Sequence, residues 1–425
     1  MHIGGSVKTL ARRIANRRQL HTRLHGALDE RGNRVLSELT FILSEGAMSP
    51  AVMLVGAGHM GRSALAILAR ALPSARFVVV DRSAESLRLS EVIAPERIAT
   101  RQVDISSDGL DASGMDLVVN LAGPFFLGSD GAARAAIVAG AAYIDVGDDA
   151  EGTTTILALD ELAKSNKVPV ITGAGLSPGV SNWLACSLLE SHPELDGVKI
   201  VWITREPDPG GLAVLRHMLH MAVAPCPTWR NGRMEFTKGF VPETAESFDV
   251  PPPFHRIEAY DTAHPEPVTL GRFRPDLSLV QCKGSLFPNW ANAAFSTLGR
   301  IGFGHSEMAV EIDGKDVQPI EVLWKLLWKR HELKPSAQRI SATQVNVIGT
   351  RGNKPIVMKS ITDAGDMSRG TGLGISAAAL SLLEGGVPAG ANGVEAIPHR
   401  SGIDRFLRLA SDAGCFADGV VTTRF

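Results

Sequence analysis

Short apolar blocks alternate with helical patterns along the first half of the chain. Val52-Met53-Leu54-Val55 is an uninterrupted apolar run, as expected of a strand buried on both faces of a parallel sheet. An Ala/Leu/Ile pattern at helical spacing covers 63–72, and a second apolar run, Phe77-Val78-Val79-Val80, ends at Asp81. The alternation continues with a helix through Leu87, a strand over 99–103, a strand over 115–120 and a helix over 131–139. A strand begins at Tyr143, a helix covers 155–164 and a strand 168–171. Repeated βα units of this kind build a parallel, doubly wound sheet.

The pattern changes after a helix over 182–187. Val198 to Thr204 reads as a strand, and the residues after it are rich in Pro, Gly and polar side chains. Runs at 277–281, 340–348 and 356–361 read as strands, the last two flanking Gly349-Thr350-Arg351-Gly352-Asn353-Lys354, a hairpin signal. Residues 320–333 are amphipathic, with Leu323, Trp324, Leu326, Leu327 and Trp328 at helical spacing. A mostly antiparallel sheet carrying helices fits this half. Near the end, Arg369-Gly370-Thr371-Gly372 leads into a small-residue helix over 375–383.

Chemistry enters between the first two strands, where Gly56-Ala57-Gly58-His59-Met60-Gly61 is a G-x-G-x-x-G. Gly56 suits the tight turn, Gly58 the approach of a pyrophosphate, and Gly61 the close packing of helix on strand. The helix N-terminus offers N–H groups to the phosphates. Asp81, at the end of the next strand, is placed to accept hydrogen bonds from ribose hydroxyls, which favours NAD over NADP. Arg82 argues the other way, because it can pair with a 2′-phosphate, so NADP stays open. Asp104 and Ile105, after the third strand, fall near an adenine in such a sheet.

Composition narrows the classes. A chain of 425 residues exceeds one compact core, and 44% apolar with 21% charged residues suits a soluble enzyme. A formal net charge of −2 gives no basic field for nucleic acid, and no apolar stretch is long enough for a membrane span. Cys186, Cys226, Cys282 and Cys415 lie far apart without a C-x-x-C, which reads as reduced packing residues in a cytoplasmic protein and gives no metal site. Residues 1–47 stand apart: Lys8, Arg12, Arg13, Arg17, Arg18 and Arg23 occur with no acid before Leu28. A transit segment, an arm on a partner subunit and an extension outside the fold all fit. The last is favoured, with the functional chain beginning near Met48.

Gly123-Pro124-Phe125 after a strand, Tyr143-Ile144-Asp145 further on, and Ser177-Pro178-Gly179 at the sheet's end together resemble the saccharopine dehydrogenase-like NAD(P)-dependent oxidoreductases. The resemblance runs from about Val52 to Leu184 and resumes at Gly370-Thr371-Gly372. It implies that Ala122, Gly123, Pro124, Phe125, Asp145 and Pro178 join Gly56, Gly58, His59, Met60, Gly61, Asp81, Arg82, Asp104 and Ile105 around the cofactor. Where the family closes its last segment with Pro-Glu, this chain has Pro398-His399.

The expected fold is α/β, a Rossmann-type doubly wound parallel sheet. A second, mostly antiparallel α+β domain follows, and a C-terminal helix returns to the first. The divisions are a basic extension 1–47, a dinucleotide domain 48–182, a substrate and dimerisation domain 183–368 and a returning segment 369–425. The resemblance implies hydride transfer at a C–N bond between an amine and a keto acid. The alternatives are reduction of a C=C or C=O bond in a hydrophobic substrate, or nucleotide sensing without turnover. The expected partners are a small-molecule substrate and a second subunit in a homodimer, with no nucleic acid and no membrane.

Candidates for the chemistry follow from what hydride transfer requires: positioning, neutralisation of substrate charge and handling of one proton. Asp148 and Asp149 cluster after the Tyr143 strand, where a proton could be managed. His217 and His220 lie at i, i+3 on one helical face, and without a third ligand they read as a substrate-facing or solvated pair. Arg205, Arg216, Lys283 and Arg369 are candidates for gripping a carboxylate, Arg369 foremost because it precedes the glycine-rich helix start.

Overall fold

A computed structural model describes residues 49–107, 109–128, 130–205, 211–303, 308–334, 342–363 and 367–425. The expectations for the basic segment 1–47 lie outside the described residues. The alternating half runs β1 (Ala51–Val55), α1 (His59–Ala71), β2 (Arg76–Asp81), α2 (Ala84–Glu91), β3 (Ile98–Gln102) and β4 (Leu117–Asn120). It continues through α3 (Asp130–Ala139), β5 (Ala142–Asp145), α4 (Ala150–Leu157), α5 (Asp160–Ser165) and β6 (Pro169–Thr172). All these strands pair in parallel, in the order β3-β2-β1-β4-β5-β6. Winding reverses between β1 and β4, so a crevice opens beyond their carboxyl ends. β1 and β4 are buried along their whole length, which explains their continuous apolar runs.

The chain crosses over through α6 (Val180–Ser191) into β7 (Gly197–Arg205), α7 (Leu212–Met221), β8 (Pro225–Arg230), β9 (Arg233–Lys238) and β10 (Glu246–Asp249). Then come β11 (Arg256–Asp261), α8 (Glu266–Phe273), β12 (Leu279–Phe287), α9 (Trp290–Arg300), β13 (Val310–Ile312), β14 (Lys315–Val317) and α10 (Pro319–Leu333). The hairpin β15 (Thr343–Arg351) and β16 (Lys354–Asp363) leads to α11 (Met367–Glu384), β17 (Gly390–Gly393), α12 (His399–Asp412) and β18 (Val420–Arg424). The second sheet follows the order β10-β11-β12-β7-β15-β16-β18, with β8 and β9 branching from β12. Only β7 and β12 pair in parallel, so the sheet is mixed and mostly antiparallel. No helix among the described residues is long and apolar enough to cross a membrane.

α11 brings the chain back to the first sheet, and its small residues are what permit the approach. A Cβ on Gly374 would fall 2.2 Å from the Gly175 carbonyl oxygen, and one on Gly372 would fall 2.7 Å from Ser63 Oγ on α1. Ser376, Ala377, Ala378 and Ala379 are all buried in the same contact. Trp183 of α6 is fully buried against Gly402 of α12 and donates to the Val394 carbonyl at 3.1 Å. Truncating a side chain of this kind costs about 3–5 kcal/mol.

Three elements differ from the sequence pattern. The single helix expected over 155–164 is two, broken around the buried Leu159. The polar stretch after β7 holds α7, which the sequence shows only around His217 and His220, and β8, β9, β10, β11 and α8, which it leaves unassigned. β17 is unexpected because Gly390-Ala391-Asn392-Gly393 has no apolar run; it is an edge strand beside β6, tied by Asp160, which accepts from the Ala391 N–H at 3.0 Å. Tertiary pairing overrides weak local preference there.

Candidate active site

The glycine loop is built as its spacing predicts. Gly56 has φ +93°, and a Cβ there would lie 2.7 Å from the Ala122 nitrogen. A Cβ on Gly61 would lie 1.9 Å from the Gly56 carbonyl oxygen, whereas one on Gly58 meets nothing within 4 Å. Gly56 and Gly61 therefore hold the chain together, and Gly58 keeps a bare backbone facing open space. No side chain caps the first N–H groups of α1. This surface fits the pyrophosphate of a dinucleotide.

The different roles of these glycines can be separated. Gly58→Ala is expected to leave the thermal midpoint within about 2 °C while weakening cofactor binding at least about ten-fold, because its Cβ occupies only the phosphate space. Calorimetric titration with a thermal scan checks it.

Asp81 takes a structural share of the loop. Its Oδ2 accepts from the Ala57 N–H at 2.6 Å and its Oδ1 from the Ser83 N–H at 2.7 Å. Arg82 is exposed beside it. Asp104 accepts from both the Ser106 hydroxyl and backbone N–H, which hold its carboxyl below the usual carboxylate range. Ile105 packs on the buried cluster beneath the sheet.

Asp145 closes the carboxyl ends of β5 and β6 from inside. It is fully buried and accepts from the N–H groups of Gly147 and Gly173 and from the hydroxyls of Thr172 and Tyr143. Burial raises its carboxyl, and these hydrogen bonds pull the other way. The position of the loop after β5 depends on this residue.

That loop carries Asp148 and Asp149, which meet His217 of α7. His217 Nδ1 lies 2.6 Å from Asp149 Oδ1, and its Nε2 lies 3.6 Å from Asp148 Oδ2. The other Asp149 oxygen accepts from the Phe126 N–H at 3.1 Å. Burial opposes charge on every member, but the cluster compensates internally. Asp148 and Asp149 carry His217 up to about 9 against that burial. The His217 charge and hydrogen bond hold Asp149 below the usual carboxylate range. Asp148, whose side chain keeps 26% of its exposure, is pushed up to about 6 by desolvation, with His217 opposing. Both carboxylates favour the protonated ring, whose Nδ1–H is directed at Asp149.

Two residues absent from the sequence reading complete the cluster. His264 places its Nε2 3.4 Å from that of His217, and its Nδ1 lies 3.4 Å from Glu266 Oε2. Glu266 Oε1 accepts from the Ser177 hydroxyl at 2.5 Å. Burial raises Glu266, but His264 and Ser177 outweigh it and hold the carboxyl low. The chain Asp149, His217, His264, Glu266 and Ser177 is continuous and almost wholly removed from water. His220 stands aside, its ring 4.0 Å from that of Phe126 and its Nε2 3.4 Å from Glu151.

The cluster forms one wall of a pocket enclosing roughly 900 Å³ of space, its solvent-open mouth included. Gly123, Pro124 and Phe125 from the loop after β4, and Ser177 and Pro178 from that after β6, form the side nearest the glycine loop. Trp202, Val214, Met218, Met221 and Val345 supply much of its apolar lining. Among the described lining residues there is no lysine or arginine.

None of the cations proposed for a carboxylate grip is among the residues lining the pocket. Arg205 sits over the Phe287 ring, Arg216 pairs with Glu321 at 2.8 Å, Lys283 with Asp261 at 2.8 Å, and Arg369 lies 4.0 Å from Asp363. The departure at Pro398-His399 has a local explanation: His399 bonds Glu190 at 2.9 Å on the surface. A buried glutamate near the same turn, Glu395, instead accepts from Asn182 at 2.6 Å.

Comparison with known proteins bears on residues 52–171 and on the fold. Residues 52–171 match the family described as the saccharopine dehydrogenase NADP binding domain. Among solved structures, the chain is similar to apo saccharopine dehydrogenase (L-Glu forming) from Saccharomyces cerevisiae, with a TM-score of 0.54 and 12% identity. That alignment covers 89% of this chain and 100% of the yeast one. A putative myo-inositol dehydrogenase from Sinorhizobium meliloti aligns over 88% of this chain and 99% of its own, at 12% identity and a TM-score of 0.39. No curated protein sequence matches. The chain has a saccharopine dehydrogenase-like NAD(P)-binding domain within a shared two-sheet fold.

Proposed function

We propose that this NAD(P)-dependent oxidoreductase of saccharopine dehydrogenase-like fold reduces the carbonyl of an uncharged, mostly apolar substrate, with His217 supplying the proton. The observation that carries this reading is the pocket lining: mostly apolar side chains around His217, with no lysine or arginine among the described lining residues. A dicarboxylic substrate would find no lysine or arginine among the described lining residues, and a carboxylate left unpaired there would cost several kcal/mol. The NAD(P)H, when bound on the glycine loop, supplies the hydride. His217 transfers its Nε2 proton to the carbonyl oxygen as the carbon receives hydride, so the product is an alcohol and the imidazole is left neutral. Asp149 keeps Nδ1–H fixed and stabilises the imidazolium before transfer. Asp148, partly exposed, connects the site to solvent for reprotonation.

The hydride transfer at a C–N bond implied by the sequence resemblance is the second reading, supported by the match over residues 52–171. The two separate on substrates. Neutral apolar aldehydes and ketones are expected to give kcat/KM at least about 100-fold above amine and keto-acid pairs. Faster turnover of the keto-acid pairs would overturn the carbonyl reading. Bound cofactor without oxidation on either panel would favour nucleotide sensing. The same titrations address cofactor choice: the Asp81 charge favours NAD(H) by a modest factor because Arg82 offsets it, and tighter NADPH binding would sink that preference.

A further inference from the structure

Three polar side chains line the pocket without joining the hydrogen-bonded cluster around His217: Trp202 and Thr204 of β7, and Thr343 of β15. They share one face of the second sheet. Trp202 and Thr204 are two residues apart on one strand, and Thr343 lies directly opposite Thr204 in the antiparallel ladder, as Val345 lies opposite Trp202. The alternate residues of β7, Val201 and Ile203, belong to a separate buried cluster with Phe248 and Ile257.

All three are more than nine-tenths buried, at 7, 3 and 7% exposure for Trp202, Thr204 and Thr343. The Trp202 Nε1–H and both threonine hydroxyls have no hydrogen-bond partner among the described residues. Buried polar groups left unpaired oppose folding, and an apolar wall would need none of them. The indole is fixed in place. Gly284 of β12 makes room for it, since a Cβ there would fall 2.1 Å from the ring, and the ring stacks on His264 at 5.4 Å. The two hydroxyls are adjustable, because one χ1 step turns each in a new direction.

The chemistry of these groups identifies what they receive. An indole N–H only donates, and a hydroxyl can donate beside it, so the complement is an acceptor oxygen. With no lysine or arginine among the described lining residues, that oxygen belongs to a neutral group. The wall stands apart from His217, which is on α7; the His264 ring touches both, 5.3 Å from the His217 ring and 5.4 Å from that of Trp202. We propose that Trp202, Thr204 and Thr343 form a subsite for a second, uncharged oxygen of the substrate. The substrate is then an apolar carbonyl compound that also carries an ester, amide or further ketone oxygen. The identity of the reacting group rests on the carbonyl-reduction reading; the subsite itself does not.

Binding to the protein loaded with oxidised cofactor tests the subsite apart from turnover. Methyl 5-oxohexanoate and 2-nonanone are of similar size, and only the first has the second oxygen. Replacing Thr204→Val together with Thr343→Val is expected to weaken the keto ester at least about ten-fold more than the plain ketone, because only the ester loses its partners. The thermal midpoint of the unliganded variant should hold or rise, since the hydroxyls removed are unpaired there. With reduced cofactor, kcat/KM should repeat the ten-fold difference. The ester-selective loss of binding without turnover of either compound would keep the subsite and remove the carbonyl reading. Equal effects on both ligands, or no binding of the ester by wild type, would overturn the subsite. A thermal midpoint lowered by more than about 5 °C would also overturn it, by showing that the hydroxyls hold the fold.

Discussion

Replacing His217 by Gln is expected to lower kcat for carbonyl reduction by about 10²- to 10⁴-fold, with NAD(P)H affinity nearly unchanged. The size follows from the loss of the charged proton donor in the pocket wall. The selectivity follows from position, since His217 belongs to α7 and the glycine loop to β1 and α1. Glutamine can still donate one hydrogen bond to Asp149, but it cannot release a proton to substrate. Its cost in stability is separate and measurable. Asp149 would keep its charge in a buried site with a neutral partner, at a penalty of up to about 3–5 kcal/mol. Urea unfolding and cofactor titration on the same preparation separate the two effects. Turnover within about three-fold of wild type would remove His217 from the chemistry.

The cofactor half was legible in the sequence because local rules and function coincide there. Gly56, Gly58 and Gly61 are fixed by backbone geometry within a few residues, and β1 and β4 announce themselves by burial on both faces. The return of α11 to the first sheet was legible for a similar reason. A run of Gly, Ser and Ala in a helix has few uses other than close packing.

The half proposed to handle the proton was legible only in pieces. Asp148, Asp149 and His217 could each be singled out, but their meeting depends on α7 lying across the end of β5, which no periodicity encodes. His264 and Glu266 gave less signal still. Both sit at the start of α8, in Thr262-Ala263-His264-Pro265-Glu266, where Pro and Glu read as an ordinary helix entry. Only the pairing of β11 with β12, and of β12 with β7, brings that entry beside His217. Arg205 and Arg216 have the right chemistry for a carboxylate, but a ring and an ion-pair partner distant in sequence hold them, which no local pattern encodes.

Asp149→Asn is expected to produce a loss that depends on pH, and this dependence distinguishes electrostatic support from simple positioning. The amide has nearly the shape of the carboxylate and can still accept from Nδ1–H, but it brings no charge. In wild type, Asp148 and Asp149 hold His217 at about 9 against its burial. Carbonyl reduction needs the protonated ring, so activity should persist through neutral pH and fall as pH rises through about 9. Without the Asp149 charge the alkaline limb moves down, and the rate relative to wild type falls roughly ten-fold for each pH unit above the new value, up to about 9. Asp148 supplies part of the lift only where it is itself ionised, above about 6. The variant should therefore be most impaired near pH 8 to 9 and should recover much of its rate near pH 6. Stability follows the same sign. A histidine raised above its unfolded value near 6.5 stabilises the fold fully below that pH, and the contribution disappears as pH rises through about 9. The variant should thus lose most of its pH-dependent stability between those limits. A pH–rate profile with urea unfolding at several pH values measures both, and a loss of equal size at every pH would show that Asp149 only positions the ring.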